Sequence, residues 1–287
     1  MTAPVLLDPI LAERLTVALE RLAATLPTVP TMPDWANSRA FRWRRGHLWP
    51  VRHPHRLRLA DLQCIDRQKM ALDRNVRQFL ARRPCNNALL WGARGTGKSS
   101  LVKALLNEYA GQGLRLIEVD RHDLLDLPEI VEPLFSRPER FLLYCDDLSF
   151  EANDPGYKAL KAMLDGSISA TPDNVLLCAT SNRRHLLPEY LRENQESQLI
   201  DGELHHGEAV EEKISLSERF GLWLSFHPFS QEDYLAIVSY WLEQLHWPAG
   251  LDADTRAAAL QWALQRGSRS GRVAWQFARD WIGQHSV

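Results

Sequence analysis

The sequence has no excess of charge of either sign, no long apolar run and no cysteine pair at metal-ligand spacing. Its 34 Lys and Arg against 36 Asp and Glu leave a formal net charge of −2, so no whole-molecule field gathers nucleic acid or holds a membrane surface, although local patches stay open. No stretch nears the roughly 18–20 apolar residues of a membrane span, and no membrane partner is expected. Asp8, Glu13, Arg14, Glu20 and Arg21 interrupt the apolar positions of residues 1–26, which argues against a secretory leader. The four cysteines, Cys64, Cys85, Cys145 and Cys178, form no C-x-x-C. Cys145 and Cys178 sit in apolar strand-like runs, where a thiol behaves as a small core residue. A reducing, cytoplasmic setting is expected. Glycine and proline are ordinary, 15 and 16 of 287, and no unit repeats, which removes collagen-like, solenoid and propeller architectures. With 45% hydrophobic residues the chain has ample sequence for one large domain or two unequal ones.

Asp8-Pro9 followed by Leu11, Leu15, Leu19, Leu22 and Leu26 predicts a helix with an Asp cap, Pro in the first turn and an apolar stripe. Mixed charges on its other face favour packing on protein over lying on a membrane. Pro27, Pro30 and Pro33 then form a stiff linker. Residues 39–58 hold seven arginines, three histidines and no acid, interleaved with Phe41, Trp43 and Trp49. This stretch is either a nucleic-acid contact or a strand or hairpin that packs its aromatics on the core and exposes its arginines. The second reading is preferred, because the rest of the chain lacks a basic footprint.

From Asp61 the pattern alternates between helix and strand. Residues 66–80 read as helix. Ala88–Trp91, Leu114–Val119, Phe141–Cys145 and Asn174–Cys178 are short apolar runs of buried-strand type, and Gly221–Phe226 supplies a fifth. Helices over 100–109 and 157–164 separate them, so a parallel sheet covered on both faces is expected. After Pro228 only helices follow, over about 231–246, 252–266 and 271–282.

Gly92-Ala93-Arg94-Gly95-Thr96-Gly97-Lys98-Ser99, with Ser100 after it, satisfies the P-loop pattern, and an apolar strand precedes it while a helix follows. Gly95 and Gly97 let backbone N–H groups wrap phosphate oxygens, Lys98 neutralises β/γ charge and the Ser99 hydroxyl ligates Mg²⁺. Phe141-Leu-Leu-Tyr-Cys-Asp146-Asp147 is a buried strand that delivers two carboxylates to the carboxyl edge of the sheet. Asp146 would hold Mg²⁺ through water or Ser99, and Asp147 would orient or deprotonate the attacking water. Glu151 is a possible substitute base, although a solvated loop acid is the simpler reading. A third strand ends in Thr180-Ser-Asn182, where Asn182 would contact the water or the γ-phosphate. Arg219 precedes a strand and is expected near the carboxyl edge, and Arg272 opens the last helix; a guanidinium at a γ-phosphate transition state can gain roughly 10³–10⁵ in rate. His53-Pro-His55 with Cys64, and His205-His206, lack zinc spacing and read as solvated or capping side chains. No Gly-x-Ser-x-Gly elbow appears. Residues 189–215 carry eight acids and are too long for a simple connection, so a working insertion or a mobile surface loop is expected.

The P-loop, the Asp-Asp strand, the Asn strand end, the Arg219 segment and the helical C-terminus together resemble the AAA+ ATPase superfamily. The phrases Ile65-Asp-Arg-Gln, Leu90-Trp-Gly-Ala-Arg-Gly-Thr-Gly-Lys-Ser-Ser, Cys145-Asp-Asp-Leu-Ser-Phe, Ala179-Thr-Ser-Asn-Arg-Arg-His-Leu and Ser217-Glu-Arg-Phe-Gly-Leu-Trp resemble, more narrowly, a bacterial family of predicted AAA+ ATPases of unknown function. The resemblance runs from about Leu57 to the C-terminus. It implies ATP and Mg²⁺ as ligands, and the Asn182 strand lying between the P-loop and Asp-Asp strands. It also implies sensor-1 at Asn182, an arginine finger at Arg219 reaching a neighbouring subunit, sensor-2 at Arg272, and Asp61–Arg67 along the nucleotide base. Asp in place of Glu at 147 departs from most AAA+ members, resembles the initiator and helicase-loader branch, and bears on turnover more than on binding.

The expected fold is thus α/β, a P-loop NTPase with a three-layer αβα core, a parallel five-stranded sheet and a C-terminal helical lid. Residues 1–60 form an N-terminal helix and Arg/aromatic-rich extension, 61–227 the nucleotide-binding core, 228–287 the lid. The expected function is slow Mg²⁺-dependent hydrolysis of ATP to ADP and phosphate, in a homo-oligomer, coupled to remodelling or loading an unknown protein or nucleic-acid partner. The alternative is a nucleotide-gated binding module or scaffold with little turnover. A small-molecule kinase is weaker, for want of an acceptor site.

Overall fold

The structure, a computed structural model, describes residues 8–25, 33–150, 154–165, 172–183, 186, 198–200, 203–205 and 216–285. Two compact units divide at Pro33. In the first, α1 (Pro9–Thr25) starts where Asp8 predicts it, with the Ile10 amide donating to Asp8 Oδ1 at 3.0 Å.

The second unit is built on a seven-stranded sheet. Its strands are β1 (Ala40–Arg44), β2 (His47–Pro50), β3 (Ala88–Gly92), β4 (Leu114–Glu118), β5 (Arg140–Cys145), β6 (Val175–Ser181) and β9 (Leu222–Phe226), in the order β2-β1-β4-β5-β6-β3-β9. All neighbours are parallel except the β1–β2 hairpin. The five expected strands are present, with the Asn182 strand β6 between β3 and β5. The count of five is nonetheless too low, because the arginine-rich stretch adds β1 and β2 at the β4 edge. Ala40 pairs with Leu116 across 76 positions of sequence, a partner that no local pattern reveals. Phe41 and Trp43 turn into the core while Arg42 and Arg44 face the other way, so these two aromatics pack as the preferred reading expected, whereas Trp49 on β2 stays exposed. A separate antiparallel hairpin joins β7 (Gln198–Ile200) to β8 (Glu203–His205) within the acidic stretch; the rest of that stretch, and Glu151, lie outside the described residues.

Every position of β5 and β6 is buried, as strands covered on both faces must be. Alternate side chains serve two cores. Leu90, Leu116, Leu142, Leu176 and Leu224 face α2 (Asp66–Leu80) and α3 (Lys98–Tyr109), whereas Leu89, Ile117, Leu143, Leu177 and Phe220 face α4 (Leu127–Val131), α5 (Pro155–Asp165) and their neighbours. The three layers expected from the sequence are these two helix layers and the sheet between them. The C-terminal helices α6 (Gln231–Gln244), α7 (Ala253–Gln265) and α8 (Gly271–His285) extend the first core. Ser230 and Asp252 cap α6 and α7 through the amides of Asp233 and Thr255, at 3.0 and 2.8 Å. Trp241 of α6 meets Trp275 of α8 with ring centroids 4.5 Å apart.

Candidate active site

The loop between β3 and α3 begins with a close approach. Gly92 has φ +129°, and a Cβ on it would lie 2.0 Å from the Phe226 carbonyl oxygen, so β9 holds the loop entrance against a residue that only glycine can be. The Ala93 amide then donates to the same oxygen at 2.9 Å. The α3 ladder begins with the Leu101 amide on Gly97 O, 2.8 Å, which leaves the Lys98, Ser99 and Ser100 amides at the helix N-terminus without an intrahelical acceptor. Lys98 is 6% exposed, and its Nζ donates to Gly92 O, Ala93 O and Asn182 Oδ1 at 2.8, 2.7 and 3.2 Å. Burial pulls this ammonium below its ordinary value against the opposing pull of the Asp147 and Asp146 carboxylates. Thr96 Oγ1 donates to Ala93 O at 2.8 Å and fixes the loop from within.

Asp146 stands at the end of β5, beside Ser99. The Ser99 hydroxyl donates to Asp146 Oδ1 at 2.7 Å, and the Thr180 hydroxyl donates to the same oxygen at 2.6 Å. Burial alone would raise this carboxyl, but these hydrogen bonds outweigh it and hold Asp146 below the ordinary carboxylate value. Asp147 has φ +49°, and its amide is held by Thr180 Oγ1 at 2.9 Å. Its carboxylate accepts from Asn182 Nδ2, so Asn182 bridges Lys98 and Asp147. Ser99, Asp146, Thr180 and Asn182 present only oxygen and amide groups, the kind of donor set that suits Mg²⁺ and phosphate.

Thr180 is the residue that sequence reasoning left without a role. The register Cys145↔Ala179 sets it directly beside Asp146. A signal existed in period two along β6, but the partner strand had to be known first.

The lid and the segment before α2 complete the rim. The Gly271 amide donates to Gly95 O at 3.0 Å, and a Cβ on Gly95 (φ +74°) would lie 2.8 Å from Ser270 Cβ and Oγ and 3.9 Å from Arg272 Cβ. Arg272 therefore starts beside the P-loop. Ile65 Cδ1 and Leu62 Cδ2 would be the nearest atoms to a Cβ on Gly97, at 3.4 and 3.8 Å, so the segment 61–67 abuts the loop. Asp61 is tied to both sides, accepting from Arg58 N at 2.7 Å and from Tyr240 Oη of α6 at 2.7 Å.

Arg219 is not brought to this cluster. It was expected near the carboxyl edge, but β9 runs parallel to β3 with Leu222 opposite Ala88, so a residue preceding β9 lies at the amino edge. There its Nε pairs with Asp165 at the end of α5.

Solved structures share this architecture. A variant of Thermotoga maritima RuvB superposes with a TM-score of 0.55 at 15% identity, over 80% of this chain and 67% of that one. A further RuvB structure from the same organism, titled a Holliday junction branch migration motor, gives 0.51 at 14% identity over 80% and 67%. The Aeropyrum pernix ORC1 protein, solved in complex with DNA, gives 0.54 at 16% identity over 79% and 62%. At these identities the likeness concerns the fold, and the fold is the AAA+ type of P-loop α/β architecture. None of the functionally curated proteins compared with the chain matches it. The family described as protein of unknown function (DUF815) matches residues 36–285, and the chain belongs to that family.

Proposed function

We propose that the chain is an Mg²⁺-dependent ATPase that hydrolyses ATP to ADP and phosphate, works as a homo-oligomer and couples its nucleotide state to a macromolecular partner. One observation carries the reading: three elements distant in sequence, α3, β5 and β6, bring Lys98, Ser99, Asp146, Asp147 and Asn182 into a single hydrogen-bonded group at the carboxyl edge. Ser99 Oγ and Asp146 Oδ1 would hold Mg²⁺, which when bound neutralises charge on the β- and γ-phosphates. Lys98 and the amides of residues 95–100 bind the phosphates. Asp147 takes the proton of the attacking water, and Asn182 holds that carboxylate in position. Arg272, starting from the lid beside Gly95, reads the same phosphates. Arg219, at the opposite edge, reaches a nucleotide only across a subunit boundary, which is why an oligomer is part of the proposal. Four free thiols suit a reducing compartment, and the cytoplasm is the proposed setting.

Turnover per subunit measured over a wide protein concentration range tests this. The specific rate should climb with concentration and fall about 10³-fold in Arg219→Ala at high concentration, with ATP affinity retained. A rate equal in the two proteins at every concentration would remove the trans role. A second reading, a nucleotide-gated module with little turnover, is favoured by one feature: Asp147 is a short carboxylate already engaged by Asn182. Bound ATP with no turnover at any concentration would select it.

A further inference from the structure

The amino edge of the sheet carries a cleft that the nucleotide reading does not use. It encloses about 610 Å³ between the turn before β1, the segment after β2 and the loop after α3. Arg39, Arg52, His53, Arg56 and Arg115 line it, and among the described residues no acidic side chain does. The walls are fixed by the fold. The Leu116 amide donates to Arg39 O at 3.0 Å and the Val51 amide to Ala40 O at 2.8 Å. Asn107 Nδ2 pins the carbonyls of His55 and Leu57 to α3 at 2.6 and 2.7 Å. Arg115 is held in place by the carbonyls of Trp35, Ala110 and Leu114. A hairpin arginine outside the cleft, Arg42, is paired with Glu118, whereas among the described residues no ion pair holds Arg39, Arg52 or Arg56. Like charges gathered on a rigid concave wall repel one another, and an anion that bridges them removes that cost.

We propose that this cleft binds single-stranded nucleic acid through its phosphates. The volume exceeds what one phosphate needs, yet the concavity suits a single strand better than the broad, convex surface of a duplex. Three guanidiniums without acidic partners supply sequence-independent phosphate contacts. Trp49, 46% exposed on β2 and two residues before the cleft residue Val51, offers a face on which a base stacks. The cleft lies at the opposite end of α3 from Lys98, about 18 Å away for twelve helical residues, so this proposal stands or falls independently of the ATPase reading.

The test is fluorescence anisotropy of the full chain, without nucleotide, against a labelled oligodeoxythymidine of roughly twenty nucleotides, longer than a single site of this kind. Three phosphate contacts predict a log–log salt slope of about −2 at the single-strand coefficient. Arg52→Ala/Arg56→Ala removes two exposed side chains that make no hydrogen bond or ion pair among the described residues; it should bring the slope to about −0.7 and weaken binding roughly tenfold near physiological salt. The lysine pair, Arg52→Lys/Arg56→Lys, should keep most of the affinity, because point charges suffice for this term. An unchanged slope in the alanine pair overturns the proposal. So does a duplex of equal length binding as tightly as the single strand, or binding to phosphatidylserine vesicles without binding to the oligonucleotide.

Discussion

The two edges of the sheet handle charge in opposite ways. At the carboxyl edge, charged groups are satisfied by neutral polar neighbours: Lys98 by Asn182 and two loop carbonyls, Asp146 by Ser99 and Thr180, Asp147 by Asn182. At the amino edge, Arg39, Arg52 and Arg56 line an open cleft to which no carboxylate among the described residues contributes. Internal satisfaction buries and orients a few atoms to within tenths of an ångström, which chemistry requires. Unspent charge on a fixed backbone leaves its energy for a ligand, which binding requires. The same sheet supports both because parallel strands send all their carboxyl ends, and with them β3, β5 and β6, to one side.

The largest break in this contrast comes at Lys98. On the proposed reading, removing the ammonium in Lys98→Ala deletes the charge that would meet the β- and γ-phosphates, and it also unties Asn182. Two charge-assisted hydrogen bonds at about 1.5 kcal/mol each predict an ATP affinity roughly a hundredfold weaker, with turnover at background. Isothermal titration of ATP measures it, and undiminished affinity would refute the P-loop assignment. The same variant should bind the oligonucleotide as wild type does; loss of both functions would mean that the edges are not separate sites.

Asp147→Asn is the next largest. The amide keeps the hydrogen-bonding shape beside Asn182 but cannot accept a proton from water. ATP should bind with wild-type affinity while turnover falls about 10²–10⁴-fold, the usual worth of a positioned base. An unchanged rate shifts that role to Glu151 or another carboxylate.

Much of the carboxyl edge is legible in the sequence, because its parts are local. The P-loop needs its strand, glycines, lysine and helix in one run of residues, and the Asp146-Asp147 pair closes an apolar strand. What escaped depends on strand direction or register. Arg219 is legible as an arginine before a strand, but its edge follows from β9 running parallel to β3. Thr180 acquires its role only from the pairing of β6 with β5. The hairpin of β1 and β2 has clear alternation, yet its place in the sheet rests on a contact with β4 about seventy residues later. Between β4 and β5, Pro128, Pro133 and Pro138 break the chain into short helical pieces around α4, too short for any periodicity to announce.

A smaller effect sharpens how tightly the lid is fitted to the loop. Gly95 has φ +74° and faces Ser270 at a distance that a methyl group would close to 2.8 Å. Gly95→Ala should cost about 1–2 kcal/mol from the left-handed backbone alone. Because the Gly271 amide is bonded to Gly95 O, the start of α8 must shift too. Thermal unfolding measures the cost, and an unchanged midpoint with unchanged ATP affinity would mean that the lid moves freely against the loop.

The smallest expected change is at Thr180, and it has a pH signature. Thr180 is 1% exposed, donates to Asp146 and accepts from the Asp147 amide at 2.9 Å. Thr180→Val preserves its volume and removes both bonds, at a cost of about 1–2 kcal/mol at neutral pH. Asp146 is held below 3.8 in the folded chain, so its contribution to stability is complete above that unfolded value and drains as pH falls through the folded one. Without the Thr180 hydroxyl the folded value rises, the two values converge, and the carboxylate has less stability to lose in acid. The stability difference between wild type and variant should therefore be largest at neutral pH and narrow as pH drops below about 4. Urea unfolding from pH 7 to pH 3 measures this narrowing. A difference that stays constant across that range would show that Thr180 acts through packing and the Asp147 amide, with no hold on the Asp146 proton, and the carboxyl edge would then be less tightly coupled than its short contacts indicate.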